Sequence, residues 1–212
     1  MGRTGRVIVL DHPVAAHRVV TLRDASTGGA GFRQVVHELS TLLAYEALRD
    51  LSTEPCTVTT PVGVAEGRRV NETVLVVPVL RAGLGMVPAV QELLPYTDVA
   101  YLGLRRDELT LESQVYLDRL PADLAGRRVV VCDPMIATGG SLGTVCDLIL
   151  GRGASHVQVL CLIAAAPGLA AFTQRHPDVD VACCAVDPAL NAHGYIVPGL
   201  GDAGDRQFGP PT

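Results

Sequence analysis

Asp133 ends the apolar run Val129-Val130-Val131-Cys132 and is followed at once by Pro134-Met135-Ile136-Ala137-Thr138-Gly139-Gly140-Ser141. A carboxylate accepts hydrogen bonds from hydroxyl groups such as those of a sugar. A glycine turn that opens a helix aims backbone N–H groups and the positive end of the helix dipole at an anion, and glycine lets the backbone approach closely. Thr138 and Ser141 add hydroxyl donors. The stretch therefore predicts a site for a molecule that is both sugar and phosphate, with Asp133 an acceptor at neutral pH. Taken alone it also fits a tight strand-to-helix turn with Ser141 capping the helix, because glycine-rich turns are common.

Two further stretches carry chemistry of the same kind. Leu80-Arg81-Ala82-Gly83-Leu84-Gly85-Met86 again lies between an apolar strand and a helical pattern. A guanidinium beside two glycines suits a pyrophosphate, since the fork grips oxygens while the backbone closes around them; an exposed arginine at a helix start fits equally. Gly194-Tyr195-Ile196-Val197-Pro198-Gly199-Leu200-Gly201-Asp202-Ala203-Gly204-Asp205-Arg206 is too rich in glycine for a regular element, and long loops in compact domains are usually functional. Ile196, Val197, Leu200 and Phe208 would be wasted in a disordered tail.

The elements that must position these loops follow from periodicity. Apolar runs begin at Arg6, Thr73, Val99, Arg128, His156 and Val179, and their continuity suits strands buried on both faces. Helical patterns cover Phe32 to Arg49, Leu84 to Leu94, Gly140 to Leu150 and Gly168 to His176, the first with Val35, Val36, Leu39, Leu42 and Leu43 on one stripe. The alternation predicts an α/β fold, a mainly parallel sheet with helices on both faces, which binds ligands at the carboxyl ends of its strands.

Composition excludes other classes. The chain of 212 residues has apolar content of 48% and charged content of 18%, which is globular and of single-domain size. All 17 of its basic residues are arginine, so the lysine of a P-loop and the lysine of a Schiff base are both missing. A net charge of -5 speaks against nucleic acid as a partner, since such a grip draws on basic residues. The N-terminal apolar run is cut by Asp11 and Pro13, too short for a signal-peptide core, and a cytoplasmic location is expected. The apolar region from Val157 to Phe172 is broken by Gln158 and Pro167-Gly168, so no membrane span is expected. The 6 cysteines, with no C-x-x-C pair, read as buried thiols, and the 6 histidines as surface or structural groups, with His193 closest to a candidate loop.

The strand-acid-ATGGS element resembles the phosphoribosyl diphosphate (PRPP) loop of the type I phosphoribosyltransferase family. LRAGLGM and GYIVPGLGDAGDR resemble its uracil subgroup, and so do HP at His12, FR at Phe32 and Arg33, LLAYEALRDL at Leu42 and RRDELTLE at Arg105. The resemblance covers essentially the whole chain. It implies the type I fold, a mainly parallel twisted sheet flanked by helices, as a single domain over 1–212. The core would be about 32–185, with a small hood built from the N-terminal segment and 186–212.

The implied reaction is uracil plus PRPP giving UMP and diphosphate, with Mg2+ held mainly by PRPP and water. The resemblance places Asp133, Pro134, Met135, Ile136, Ala137, Thr138, Gly139, Gly140 and Ser141 around the ribose 5-phosphate, and Arg81 and Arg106 on the pyrophosphate. Asp202 would contact PRPP or its magnesium shell, and uracil would lie against Ile196 and the Gly201-Asp202-Ala203 backbone. A homo-oligomer is implied, and GTP activates some relatives. Pro134 stands where most type I relatives carry a second acid, the habit of the uracil subgroup. Leu109 follows Glu108 where a second glutamate is more frequent, and Arg105 stands where an aromatic is common. A nucleotide-sensing RNA regulator on the same fold would need a basic face, and an enzyme taking another base would separate on a substrate panel.

Overall fold

A computed structural model describes residues 4–106 and 113–210. β1 (Val7–Val9) leads into α1 (Pro13–Arg23) and α2 (Gly29–Ala47), followed by an antiparallel hairpin of β2 (Thr53–Thr59) and β3 (Val64–Val70). β4 (Val74–Leu80) passes through a 3-10 turn at Ala82–Met86 into α3 (Val87–Leu93), and β5 (Asp98–Val99), β6 (Leu102–Arg106) and β7 (Ser113–Asp118) follow. Next come β8 (Arg128–Cys132), β9 (Met135–Ile136), α4 (Gly140–Gly151), β10 (His156–Ala165), α5 (Ala166–Arg175) and β11 (Asp180–Asp187). β12 (Ala189–Leu190), β13 (Ile196–Val197) and α6 (Ala203–Phe208) complete the described chain.

The main sheet runs β1-β11-β10-β8-β4-β6-β7, with β5 beside β4 and β9 beside β10. Every neighbour pair on this path is parallel except β6 with β7. Its central strands are buried on both faces because successive side chains alternate across the sheet. Val76, Val130 and Leu160 pack under α1 to α3 with Phe32, Val36, Leu39 and Leu43. Their neighbours Val77, Val131 and Val159 pack on the opposite face with Val145, Ile149 and Phe172 from α4 and α5. Each buried aliphatic side chain contributes about 1.5–3 kcal/mol, so the two layers fix the sheet rigidly enough to aim its loops.

The expected α/β sheet is present, with differences that have local causes. α1 was not among the expected helices. Pro13 stands in its first turn and the His12 ring caps it, Nδ1 accepting the Val14 N–H at 3.1 Å. The helix expected over Leu84 to Leu94 divides, because Gly83 and Gly85 tighten the chain into the 3-10 turn before α3 starts. The β2–β3 hairpin, turning at residues 60–63, and the antiparallel β7 were also not expected. β1 joins the main sheet as an edge strand beside β11.

At the N-terminal ends of the strands, charged side chains close on one another. Asp180, fully buried, accepts the Arg6 backbone N–H at 2.7 Å and faces His156 Nε2 at 3.1 Å. Arg128, only 4% exposed, donates from Nη1 to Asp50 at 2.8 Å and from Nε to Glu72 at 2.9 Å. Burial alone would raise the Asp50 and Glu72 carboxyls; the hydrogen bonds and charge of Arg128 outweigh it and hold both below their ordinary values.

The cysteines are free thiols, and all but the half-buried Cys56 are buried. The histidines take structural or surface places: His12 caps α1, His37 meets Glu92, His156 meets Asp180 and His176 packs on Phe172, while His17 and His193 are exposed. Among the described residues no helix is long and apolar enough to cross a membrane.

Candidate active site

Because β4, β8, β10 and β11 are parallel, the loops after them emerge at one edge of the sheet. The loop after β8 is held from beneath by its backbone. The Asp133 N–H donates to the Leu160 carbonyl at 3.1 Å, the Pro134 carbonyl accepts from Leu162 and Ile163, and Met135 and Ile136 pair with β10 as β9. These contacts leave the Asp133 side chain half-buried, with Oδ1 accepting the Met135 N–H at 3.3 Å. Burial pushes its carboxyl up to about 7, against the pull of that hydrogen bond. A carboxyl raised in this way binds its proton more readily than a surface aspartate does.

Gly139, the N-cap of α4, takes the left-handed region at φ 80°; the Gly140 N–H donates to Thr138 Oγ1 at 3.5 Å, and Ser141 sits in the first turn rather than at the cap. A Cβ on Gly139 would lie 2.8 Å from the Gly168 carbonyl oxygen, and a Cβ on Gly168 would lie 1.7 Å from that of Ala137. The loop and the start of α5 are therefore pressed backbone to backbone. Gly139 is needed for the shape of the turn, because its positive φ and the contact with Gly168 leave no room for a side chain.

The loop after β4 touches the first loop in the same way, since a Cβ on Gly83 would meet the Cys132 carbonyl oxygen at 2.1 Å. Arg81 stands above it, its side chain 44% exposed, with Nη2 donating to Asp205 at 2.8 Å and Nη1 to the Gly209 carbonyl at 3.3 Å. Arg106 ends β6, whose parallel pairing with β4 directs it to this edge. Its side chain, like Glu108 and Leu109, lies outside the described residues.

The third loop, expected to hold no regular element, contains β13 and the start of α6. Asp202 supplies the reason: it caps α6, accepting the Asp205 N–H at 2.9 Å, and so starts a helix among glycines. Before it, Gly199 and Gly201 take φ 62° and 83°. Asp187 at the end of β11 accepts the Gly199 N–H at 2.8 Å and the Arg23 fork, while Arg23 also donates to the Gly199 carbonyl at 2.8 Å. Arg206 lies 4.2 Å over the Phe32 ring and donates to the carbonyls of Leu22, Asp24 and Leu200. Ile196 and Ala203 are buried, Gly201 and Asp202 exposed, and a recess opens between this loop, Arg23 and Asp205.

Of the residues singled out from sequence, Asp133 to Ser141, Arg81 and Ile196 to Ala203 are brought to this edge. The holding residues Arg23, Asp187 and Asp205 were not singled out. Glycine content masked the helix start that carries Asp205 and left no readable signal for it. The Arg23–Asp187 pair, separated by most of the chain, had none. Among the described residues no three His, Cys, Asp or Glu side chains gather as a metal cluster.

Comparison with known proteins agrees with this arrangement. The family model for uracil phosphoribosyltransferase matches residues 9–210. A uracil phosphoribosyltransferase of Kineococcus radiotolerans is 52% identical over 209 residues, covering 96% of this chain and 99% of that protein. The solved structure of the AQ2163 protein from Aquifex aeolicus superposes with a TM-score of 0.91 at 39% identity, over 96% of this chain and 98% of that one. A hypoxanthine phosphoribosyltransferase from Staphylococcus aureus, 10% identical with a TM-score of 0.52 over 74% of this chain and 76% of its own, shares the fold alone. With a matching family model across nearly its whole length and a relative at this identity, the chain belongs to the uracil phosphoribosyltransferase family.

Proposed function

We propose that the loop edge of the sheet joins uracil to the ribose of PRPP, giving UMP and diphosphate, the reaction of uracil salvage. The observation that carries this reading is the close contact of the Arg81 loop, at Gly83, with the end of β8 at Cys132, where the Asp133 loop begins, with Arg81 and the third loop beside them. In the reaction the C1–O bond to diphosphate breaks, a C1–N1 bond to uracil forms, and N1 loses its proton. Positive charge grows on the ribose and negative charge on the leaving diphosphate, so the protein's task is positioning and charge stabilisation.

Each role then falls to a residue described above. Thr138 to Ser141 offer backbone N–H groups and hydroxyls to the 5-phosphate at the start of α4, and Pro134 to Ala137 form the floor beneath the ribose. Asp133 accepts from ribose hydroxyls, and donors of that kind favour its ionised form. Arg81 and Arg106 grip diphosphate oxygens, with Arg81's hold strengthening as charge develops. Uracil lies against Ile196 and the Gly201-Asp202-Ala203 backbone.

Carboxylate oxygens at Asp133 and the exposed Asp202 suit a hard cation such as Mg2+, with PRPP and water supplying the remaining donors. When bound, the ion neutralises developing charge on the diphosphate. A single functional unit over 1–212, with a core of about 32–185 and a hood built from the N-terminal segment and 186–212, is proposed with this site. Assembly as a homo-oligomer, activation by GTP and a cytoplasmic location are proposed too. Sedimentation velocity with and without GTP, beside initial rates, tests the first two.

A substrate panel with PRPP, Mg2+ and each base tests the reaction. Uracil offers an N–H at position 3 and a carbonyl at position 4, and cytosine reverses both. Main-chain groups cannot flip to accommodate the reversal, so each mismatch costs about 1–3 kcal/mol and discrimination reaches about 10⁴. Cytosine, hypoxanthine or orotate as the better substrate would overturn the base assignment and leave the phosphoribosyl half standing.

A further inference from the structure

The aim of Arg81 is set from outside its own loop. Nη2 donates to Asp205 at 2.8 Å and Nη1 to the Gly209 carbonyl at 3.3 Å, so α6 and the residue after it take one side of the guanidinium. The same helix fixes the backbone beneath. Gln207, 1% exposed, donates from Nε2 to the Ala82 carbonyl at 2.9 Å, and the missing side chain of Gly85 makes room for it. Asp205 is itself anchored, its N–H on the Asp202 carboxylate at 2.9 Å, directly beside the loop that carries Gly201 and Ala203.

We propose that Asp205 is a positioning residue for the transfer reaction. It holds one side of the Arg81 fork so that the other side faces the diphosphate, and through α6 it ties that aim to the base loop. The inference rests on the reading of Arg81 as a diphosphate ligand. A guanidinium carries its N–H donors in a planar fork, so two edges work at once. A half-exposed arginine without an anchor must be immobilised each time substrate binds, and anchoring it beforehand removes that entropy loss. The opposing effect is repulsion between Asp205 and an anionic ligand. With its side chain 41% exposed, water and salt weaken that longer-range term more than the direct contact to Arg81.

Steady-state kinetics on wild type, Asp205→Ala, Asp205→Asn, Arg81→Ala and the double variant Asp205→Ala with Arg81→Ala separate the possibilities, with melting curves on each. The expected result is a fall of about three- to tenfold in kcat/KM for PRPP in Asp205→Ala, with KM for uracil unmoved. Asp205→Asn, which keeps an acceptor facing Nη2, recovers most of the loss. Once Arg81 is replaced, Asp205→Ala costs nothing further. An equal extra loss in the double variant would mean that Asp205 serves only the stability of α6, and would overturn the proposal. Unchanged or faster turnover in Asp205→Ala would overturn it as well. Should that variant fail to fold, the Asn variant with and without Arg81→Ala reads the same coupling, and a loss independent of Arg81 refutes it. Arg81→Ala with normal kinetics would instead remove the premise, a separate failure visible in the same data.

Discussion

The two edges of the sheet use arginine and carboxylate in opposite ways. At the N-terminal edge Arg6, Asp50, Glu72, Arg128, His156 and Asp180 form a network in which the most buried members face partners of opposite charge. At the C-terminal edge Arg81 and Asp202 stand exposed, Asp133 is half-buried with a raised carboxyl, and glycines replace side chains where backbones meet. The same residue types thus make a closed structural network at one end and an open binding surface at the other. What separates them is burial: Arg128 and Asp180 are paired away from water, whereas Arg81, though paired with Asp205, stays 44% exposed and keeps donors for a ligand.

The largest test of this contrast is Arg128→Ala, which strips the buried guanidinium from Asp50 and Glu72. A loss of about 3–5 kcal/mol in stability is expected, with kcat of the molecules still folded unchanged, as denaturant unfolding and active-site titration would report. Arg81→Ala should do the reverse. Turnover is expected to fall about 10²-fold with KM for uracil little changed, while stability shifts by about 0–1 kcal/mol, as for other exposed ion pairs. A variant with raised KM and intact kcat would contradict its leaving-group role.

Gly139→Val tests whether the loop's glycine serves shape. A β-branched residue at φ 80° pressed on Gly168 should cost about 1–3 kcal/mol of stability and abolish PRPP binding by calorimetry in the protein that remains folded. Near-normal PRPP affinity in a folded variant would refute the loop's assignment.

The smallest effect is in pH. A carboxyl raised from 3.8 to about 7 binds its proton more tightly in the folded state, so the stability linked to Asp133 is full below about pH 4 and lost as pH climbs through 7. Without ligand, Asp133→Asn should match wild type near pH 4 and become the more stable of the two as pH rises through 7, in thermal melts. Asp50 and Glu72, lowered by Arg128, act with the opposite sign: their contribution is present above ordinary carboxyl values and disappears as pH falls through the lowered ones. Acid therefore loosens the structural edge while relaxing the binding edge.

The main strands and the helices of the core were legible because apolar periodicity is local, and Val129 to Ser141 announced its strand, turn and helix in order. The base loop was legible as a special segment but not as a helix start. Glycine content masked the cap at Asp202, whose effect depends on a single side-chain contact to Asp205. What could not be read were contacts between distant positions: Arg23 with Asp187, Gly83 with Cys132, Gln207 with Ala82. No local pattern specifies a pair brought together only when the sheet closes. The hairpin was missed for a different reason, since most side chains on both of its strands are exposed and neither face carries an apolar stripe.

The main-chain character of the base loop bears on how such an enzyme could be redesigned. A mutagenesis library aimed at a new base would ordinarily randomise the side chains lining the pocket. On the proposed reading, the edge that meets the base is peptide backbone at Gly201 to Ala203, and such a library would sample mostly broken turns. The productive targets lie a layer back, at Arg23, Asp187 and Arg206, whose lengths and charges set where the loop rests. Retuning specificity becomes a matter of translating a rigid strip by fractions of an ångström, and paired substitutions at Arg23 and Asp187 are the smallest change that could do so while preserving their bond.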